Sequence, residues 1–383
     1  MQQQRIPAVY MRGGTSKGVF FLADDLPPDA AARDRLLLRV VGSPDPYGKQ
    51  TDGMGGATSS TSKVMVVRRS DRPGCDVEYL FGAVAIDRPV IDWSGNCGNL
   101  TSAVAPFAIA RGLVEVAPDG MARVAMWQGS LRKRIVAHVP LRDGAVLEDG
   151  DFLLDGVAFP AAEIRLEFLD PGADGARGMF PTGALLDRLD VPGVGPVEAT
   201  LIDAGNPTVF VEAAALGLRG TELQPDVNGV PALLALAEAV RAAGAVAMGL
   251  SRDAGEATAL RPHTPKLAFV APPAAYATSD GRRIDPEHID LVARIFSMGP
   301  LHHAMTGTGA VAIAAAAAVP GTVVHRVARP GRGAQVRFGH PSGILAVGVE
   351  AVQRSGRWAI DRVVLSRSAR RLMEGWVYAP ASA

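Results

Sequence analysis

The chain has 383 residues, of which 48% are hydrophobic and 20% are charged, and this is enough apolar surface for about two domains of ~150 residues each. Lysine plus arginine equal aspartate plus glutamate at 39 each, and this balance, with no clustered basic stripe, excludes a typical nucleic-acid-binding protein. Two cysteines are too few for a disulfide framework, and no apolar run is long enough to cross a membrane, so we expect a cytoplasmic protein without a membrane partner.

Short β-branched runs bounded by glycine, proline or charged residues predict strands as the main regular structure. These runs are 63–67, 77–81, 134–138, 209–212 and 362–365. Helical spacing of apolar residues predicts fewer helices, which are 28–41, 100–113, 232–243, 286–296 and 310–318. Many strands with a few central helices favour an α+β protein over alternating strands and helices.

The first motif along the chain is MRGGTSKG at residues 11–18. A phosphate-binding P-loop would need Ser or Thr after its lysine and a helix after that, whereas Lys17 is followed by glycine and then by an apolar run typical of a strand. We interpret the loop as a carboxylate cradle made by Arg12 and the amides of Gly14, Thr15 and Ser16. An ordinary hairpin turn is the alternative.

The second motif, residues 53–63, is rich in glycine and hydroxyl side chains and ends at a lysine. Such a loop offers many amide donors, and Ser60 within it is a candidate substrate ligand. Lys63 leads into an apolar strand, where partial loss of solvation would suit a general base. The alternative is an edge-strand lysine that prevents aggregation.

The third motif, GNCGN at residues 95–99, precedes a predicted helix of small apolar residues. A thiolate at this position is stabilised by unpaired backbone N–H groups and by the positive end of the helix dipole. The same N–H groups can bind a substrate carboxylate, so Asn96, Cys97, Gly98 and Asn99 are candidate site residues. The alternative is a small buried cysteine with no chemical role.

The second half of the chain repeats this design. MTGTG at residues 305–309 precedes an alanine-rich helix, so we expect two pseudo-duplicated domains, 1–187 and 188–383, with the last strand or helix packing back on the first domain. A His302–His303 metal site is not supported, because adjacent residues rarely face one ion and no further ligands accompany them. Candidate substrate ligands in this half are Asn206, Arg261, Lys266, His303, Gly307, Thr308 and Gly309.

Together these motifs resemble the diaminopimelate-epimerase-like superfamily and, within it, the PrpF family of 2-methylaconitate isomerases. The resemblance runs through nearly the whole chain. It is carried by residues 11–18, 42–49, 52–63, 92–99, 263–267, 301–304, 338–343 and 366–370. It implies two pseudo-symmetric domains, each with strands wrapped around a central helix, and a ligand held between them.

The resemblance also implies a chemistry, in which Lys63 and Cys97 are the acid/base groups and no cofactor or metal takes part. The expected reaction is cis–trans isomerisation or an allylic proton shift on 2-methylaconitate, a small tricarboxylate of the methylcitrate route of propionate catabolism. One departure is that racemases and epimerases of the superfamily use two facing cysteines, whereas 305–309 contains none. Two-thiol stereoinversion is therefore disfavoured.

Three alternatives stay open from the sequence. They are a 4-oxalomesaconate tautomerase or isomerase of aromatic-acid catabolism, a non-catalytic tricarboxylate-binding protein, and a nucleotide-binding enzyme. The sequence also leaves open whether the chain forms a homodimer or a higher homo-oligomer.

Overall fold

The computed structural model describes residues 3–172, 178–329 and 334–380. It contains two compact units, one formed by Met1–Glu167 with Ser366–Ala383 and the other by Phe168–Leu365. The second unit thus begins about 20 residues before the boundary at 187 that we placed from the sequence. The described residues of the intervening segment belong to the second unit, because Gly172 forms a β-bridge with Ala204 and the N–H of Asp203 donates to the carbonyl of Met179.

Strands outnumber helices in each part of the chain. The first part forms β1 (Gln3–Gly13), β2 (Ser16–Leu22), α1 (Ala30–Val41), β3 (Lys63–Arg69), β4 (Val77–Val84), β5 (Ile91–Asp92), α2 (Thr101–Ala110), β6 (Gly120–Gln128), β7 (Lys133–Arg142), β8 (Ala145–Val146) and β9 (Ile164–Leu169). The middle forms β10 (Asp187–Val191), β11 (Gly195–Ala204), β12 (Asn206–Glu212), α3 (Gln224–Asn228), α4 (Pro231–Ala247), α5 (Ala254–Leu260), β13 (Lys266–Ala271), β14 (Tyr276–Ala277), β15 (Arg283–Ile284) and β16 (Leu291–Ile295). The remainder forms α6 (Gly307–Ala317), α7 (Val323–Val327), β17 (Gln335–His340), β18 (Gly343–Arg354), β19 (Arg357–Arg367) and β20 (Ala369–Pro380). Three short 3-10 turns lie at Ala23–Asp25, Ala213–Leu216 and Pro286–His288.

The first unit is a sheet wrapped around α2. Its strand order is β20-β1-β2-β3-β4-β6-β7, in which β2–β3 and β4–β6 are parallel and the other neighbours are antiparallel. Nine of the ten residues of α2 are buried. A helix that is apolar on every side is stable only when protein surrounds it, and this explains its central position.

The second unit repeats the same pattern around α6. Its strand order is β10-β11-β12-β13-β16-β17-β18-β19, in which β12–β13 and β16–β17 are parallel and the other neighbours are antiparallel. Ten of the eleven residues of α6 are buried. The expected architecture, strands wrapped around one central helix in each unit, is confirmed.

Amphipathic helices cover the outer faces of the sheets. Asp29 caps the start of α1 through the N–H of Ala32, and Gly42 ends the helix with a positive φ of 84°. The buried side chains of α1 are Leu36, Leu37, Val40 and Val41. Each such side chain contributes roughly 1.5–3 kcal/mol when fully buried, so this stripe fixes the helix on the sheet.

Most predicted elements are confirmed, with one error. All five predicted strands lie within observed strands, and four of the five predicted helices overlap α1, α2, α4 and α6. The prediction of a helix at 286–296 is wrong: the segment forms the turn Pro286–His288 and then β16. Every residue of β16 is buried, and a strand covered on both faces shows no alternation, so its spacing resembled that of a helix.

Within residues 3–172, 178–329 and 334–380, no helix combines the length and the hydropathy that a membrane span needs.

Candidate functional site

Lys63 and Cys97 form a buried pair in the first unit. Lys63 is the first residue of β3 and is 4% exposed, and Cys97 is 5% exposed. Nζ of Lys63 donates a hydrogen bond to Sγ of Cys97 at 3.3 Å and lies 5.4 Å from the centre of the Phe81 ring. An ammonium removed from water is stabilised by a nearby anion and by an aromatic face. The position therefore suits a proton-transfer pair.

Cys97 caps the first turn leading into α2. Its Sγ accepts the N–H of Leu100 at 3.5 Å, and its carbonyl accepts the N–H of Thr101 at 2.9 Å. The hydroxyl of Ser16 lies 3.9 Å from the same sulfur. The thiol thus faces an ammonium, a backbone N–H and a hydroxyl.

These neighbours lower the pKa of Cys97. Burial by itself raises the pKa, but the charge of Lys63, the N–H of Leu100 and the hydrogen bonds of Lys63 and Ser16 together outweigh it. A lowered pKa means that the thiolate beside Lys63 forms more readily than the thiolate of an ordinary cysteine.

The β1–β2 turn packs directly against the start of α2. The amide of Asn99 donates to Oγ1 of Thr15 at 2.9 Å. Gly14 has φ +50°, and a Cβ there would lie 2.6 Å from Oδ1 of Asn99, so only glycine allows this approach. Nη1 of Arg12 donates to the carbonyl of Gly14 and to the carbonyl and hydroxyl of Ser368, all at 3.1 Å. Arg12 therefore braces the turn.

Two further predicted residues lie at the edges of this site. Asn96 accepts hydrogen bonds from the hydroxyls of Tyr79 at 3.2 Å and Thr101 at 3.3 Å. Burial raises the pKa of Tyr79, which keeps its phenol protonated as a donor. The carbonyl of Ser60 accepts the N–H of Lys17 at 3.0 Å, and this bond connects the loop before Lys63 to the β1–β2 turn.

Gln50 holds the loop before Lys63. It is 1% exposed, and its Oε1 accepts hydrogen bonds from the hydroxyl of Ser62 at 2.6 Å and from the N–H of Ala57 at 2.8 Å. Its Nε2 donates to Oγ of Ser43 at 2.8 Å. One amide therefore ties two points of the loop before Lys63 to Ser43.

The second unit contains its own buried polar cluster. Nζ of Lys266 lies 3.0 Å from Nδ1 of His263 and 3.0 Å from Oγ of Ser297. Nδ2 of Asn206 donates to Oγ1 of Thr308 at 3.0 Å and lies 3.5 Å from Nε2 of His263. Lys266 opens β13, which pairs in parallel with β12 as β3 pairs with β2. Lys266 and Lys63 thus occupy topologically equivalent strand positions.

The start of α6 is capped by Thr306. Its Oγ1 accepts the N–H of Gly309 at 3.1 Å, and its carbonyl accepts the N–H of Ala310 at 2.9 Å. Gly307 and Thr308 form the first turn and are buried. Cys97 makes the same two bonds in the first unit, with the N–H groups three and four positions later in the chain. Thr306 therefore stands where the first unit has its thiol.

Arg261 and His303 have contacts of other kinds. Nη2 of Arg261 donates to Oγ1 of Thr264 at 3.1 Å. The ring of His303 stacks on that of His302 with centroids 4.6 Å apart, and its carbonyl accepts the hydroxyl of Ser342 at 2.7 Å. Ligand binding by these two residues stays a prediction, as does a ligand between the units.

Sequence reasoning did not select several buried residues that belong to these clusters, among them Arg367, His263 and Ser297. Arg367 is 2% exposed, and its Nε donates to Oδ1 of Asn99 at 3.0 Å. One signal for Arg367 is the alternation of side chains along a strand, which places Val363, Leu365 and Arg367 on the same buried face of β19.

Comparison with known proteins places this geometry in a family. A family model described as "PrpF protein" matches residues 3–380. A 2-methyl-aconitate isomerase of Shewanella oneidensis is 57% identical over 388 residues, covering 99% of this chain and 98% of that protein. Among solved structures, a methylitaconate-delta-isomerase matches with a TM-score of 0.76 and 37% identity, covering 100% of this chain and 97% of the other. A probable proline racemase of Agrobacterium radiobacter matches with a TM-score of 0.56 and 14% identity, covering 98% and 93%, which shows a shared fold.

Proposed function

The chain belongs to the PrpF family, and from this premise we propose that it is a cofactor-independent isomerase of 2-methylaconitate. The observation that carries the proposal is the buried contact of 3.3 Å between Nζ of Lys63 and Sγ of Cys97, beside the start of a central helix. A base and an acid in hydrogen-bond contact can remove a proton from one carbon and return a proton to another. The 57% identity to a 2-methyl-aconitate isomerase supports this substrate.

The proposed reaction starts from the form of the pair in which the shared proton lies on sulfur, so that Lys63 is a neutral amine and Cys97 is a thiol. Lys63 takes a proton from the carbon that lies next to a carboxylate and the double bond, and the electron pair of that C–H bond spreads into an extended enolate. Cys97 then gives its proton to a carbon of the enolate, or the enolate rotates about the loosened bond and is reprotonated. The ammonium of Lys63 finally returns its proton to the thiolate across the 3.3 Å contact.

The negative charge of the enolate requires a positive environment. The first turn of α2 contributes the partial positive charge of its backbone N–H groups, and we assign substrate carboxylates to the amides of Gly98 and Asn99. In a buried site, such preorganised groups stabilise developing charge more than water does. A polycarboxylate substrate is therefore consistent with the charge of this region.

Parallel assays with 2-methylaconitate and 4-oxalomesaconate in D₂O test the proposal. We expect turnover of 2-methylaconitate with deuterium appearing in the product. Faster turnover of 4-oxalomesaconate would transfer the assignment to the tautomerase alternative. Binding of tricarboxylates without deuterium exchange into either compound would instead identify a non-catalytic binding protein.

A cytoplasmic location is also part of the proposal. A reactive thiolate of the kind formed by Cys97 persists best in a reducing compartment, and both cysteines of the chain are free.

A further inference from the structure

Arg367 is a buried cation in the first unit that the reaction scheme above does not use. It ends β19 and is 2% exposed. Its Nε donates to Oδ1 of Asn99 at 3.0 Å, and its Nη1 donates to the carbonyl of Ser366 at 2.9 Å. In the described part of the chain no carboxylate forms an ion pair with it. Its hydrogen-bond partners are therefore neutral groups.

Burial of an arginine is costly unless an anion accompanies it, since removing an ion from water costs several kcal/mol. Burial lowers the pKa of Arg367 to about 10, and the thiolate of Cys97 counteracts this by raising it. The guanidinium remains charged at neutral pH. Because electrostatic interaction is reciprocal, the charge of Arg367 acts on Cys97 in the same direction as that of Lys63, whose direct contact is the stronger influence.

Arg367 also fixes the orientation of an amide in the site. Because Oδ1 of Asn99 accepts from Arg367, the Nδ2 end points to Oγ1 of Thr15, to which it donates at 2.9 Å. A Cβ on Gly14 would lie 3.1 Å from Cδ of Arg367, so the β1–β2 turn packs on the arginine stem. One side chain therefore connects the turn, the start of α2 and the end of β19.

The polar neighbours of Cys97 come from several strands and from the start of α2. Lys63 approaches from β3, the hydroxyl of Ser16 from β2 and the N–H of Leu100 from the start of α2. Tyr79 on β4 interacts with the sulfur as a neutral phenol. Arg367 from β19 interacts with the sulfur electrostatically, so the neighbours of Cys97 include two basic side chains.

We propose that Arg367 is a positioning residue that keeps this site electropositive throughout proton transfer and holds Asn99 in register for the substrate. Lys63 changes between amine and ammonium as it takes up and releases the proton, whereas the guanidinium keeps its charge. The enolate and the newly formed thiolate are then stabilised by a fixed cation. This inference rests on the proposed function for its role in catalysis, but its electrostatic part does not depend on the substrate.

The test is the titration of Cys97, followed by thiolate absorbance near 240 nm in a Cys75→Ser background. Arg367→Met and Arg367→Gln remove the charge, and Gln keeps a donor for Asn99. We expect each to raise the Cys97 midpoint, and Arg367→Lys to restore most of that shift. Arg370→Met is the matched control, because Arg370 is exposed three residues further on, and it should leave the midpoint unchanged.

The proposal would be overturned if folded Arg367→Met or Arg367→Gln has the same Cys97 midpoint as the parent protein. It would also be overturned if the midpoint of Arg367→Lys is as high as that of Arg367→Met. If Met at this position prevents folding, Gln provides the same comparison. The substrate role is read from kcat, which should fall at least tenfold in the neutral variants and recover in Arg367→Lys. Because the titration needs no substrate, a wrong assignment of 2-methylaconitate would leave its result intact.

Discussion

Cys97 and Thr306 occupy equivalent positions at the starts of the two central helices. In each case the side chain accepts the N–H of the residue three positions later in the chain. The carbonyl accepts the N–H of the residue four positions later. In the second unit a hydroxyl stands where the first unit has a thiol. A hydroxyl is a far weaker acid than a thiol, so the start of α6 does not offer a second acid of the Cys97 kind.

Thr306→Ala should destabilise the protein by about 1 kcal/mol, within a range of roughly 0.5–2, because the N–H of Gly309 loses its capping oxygen. The free energy of unfolding in urea measures this loss. Thr306→Ser keeps the hydroxyl and should stay close to the parent protein. Equal stability of all three proteins would show that the cap contributes nothing.

The titration of Cys97 should have a midpoint below the ordinary thiol range. The pKa is lowered in the folded protein, so the stability that ionised Cys97 contributes is fully present above the unfolded-state pKa and is lost as the pH falls through the folded-state value. Lys63→Met removes the main stabilising charge and leaves the burial, so the midpoint should rise. Absorbance near 240 nm in a Cys75→Ser background measures it, and an unmoved midpoint would mean that Lys63 does not stabilise the thiolate.

Cys97→Ser should lower turnover less than loss of Lys63 does. Serine keeps an acceptor for the N–H of Leu100, but it is a poor proton donor, so reprotonation slows while abstraction by Lys63 continues. Mass spectrometry of 2-methylaconitate in D₂O should therefore still detect exchange. Complete loss of exchange in Cys97→Ser would instead assign the base to the sulfur.

Gln50→Leu should destabilise the loop that precedes Lys63. Ser62 and Ala57 each lose a buried hydrogen-bond acceptor, and a buried group left without a partner costs about 1–3 kcal/mol. The thermal unfolding temperature and kcat should both fall. Lys49→Ala, at the exposed neighbouring position, is the control and should change neither, and a Gln50 variant as stable as that control would contradict the assigned role.

The sequence singled out Lys63 and Cys97 because their signals are local. Lys63 follows a glycine- and hydroxyl-rich loop and opens an apolar strand, and Cys97 lies in a small-residue turn before a helix. The family resemblance then joined the two. Their contact of 3.3 Å agrees with that expectation.

Arg367 has no comparable local signal beyond the alternation of buried positions along β19. An arginine at a strand end ordinarily has a solvated head group, and its partner Asn99 is 268 residues away in the chain. It is buried where the end of β19 meets the start of α2 and the β1–β2 turn. The error at 286–296 has a similar cause, because burial on both faces of β16 removed the alternation that identifies a strand.

The most direct measurement of the central claim is the turnover of 2-methylaconitate by Lys63→Ala, with binding of trans-aconitate followed in the same protein. General acid–base catalysis contributes about 10²–10⁴-fold, so kcat should fall by that factor, and deuterium exchange into the substrate should cease. Binding should persist, and Lys49→Ala should behave like the parent enzyme. Turnover in Lys63→Ala equal to that of the parent would contradict the account.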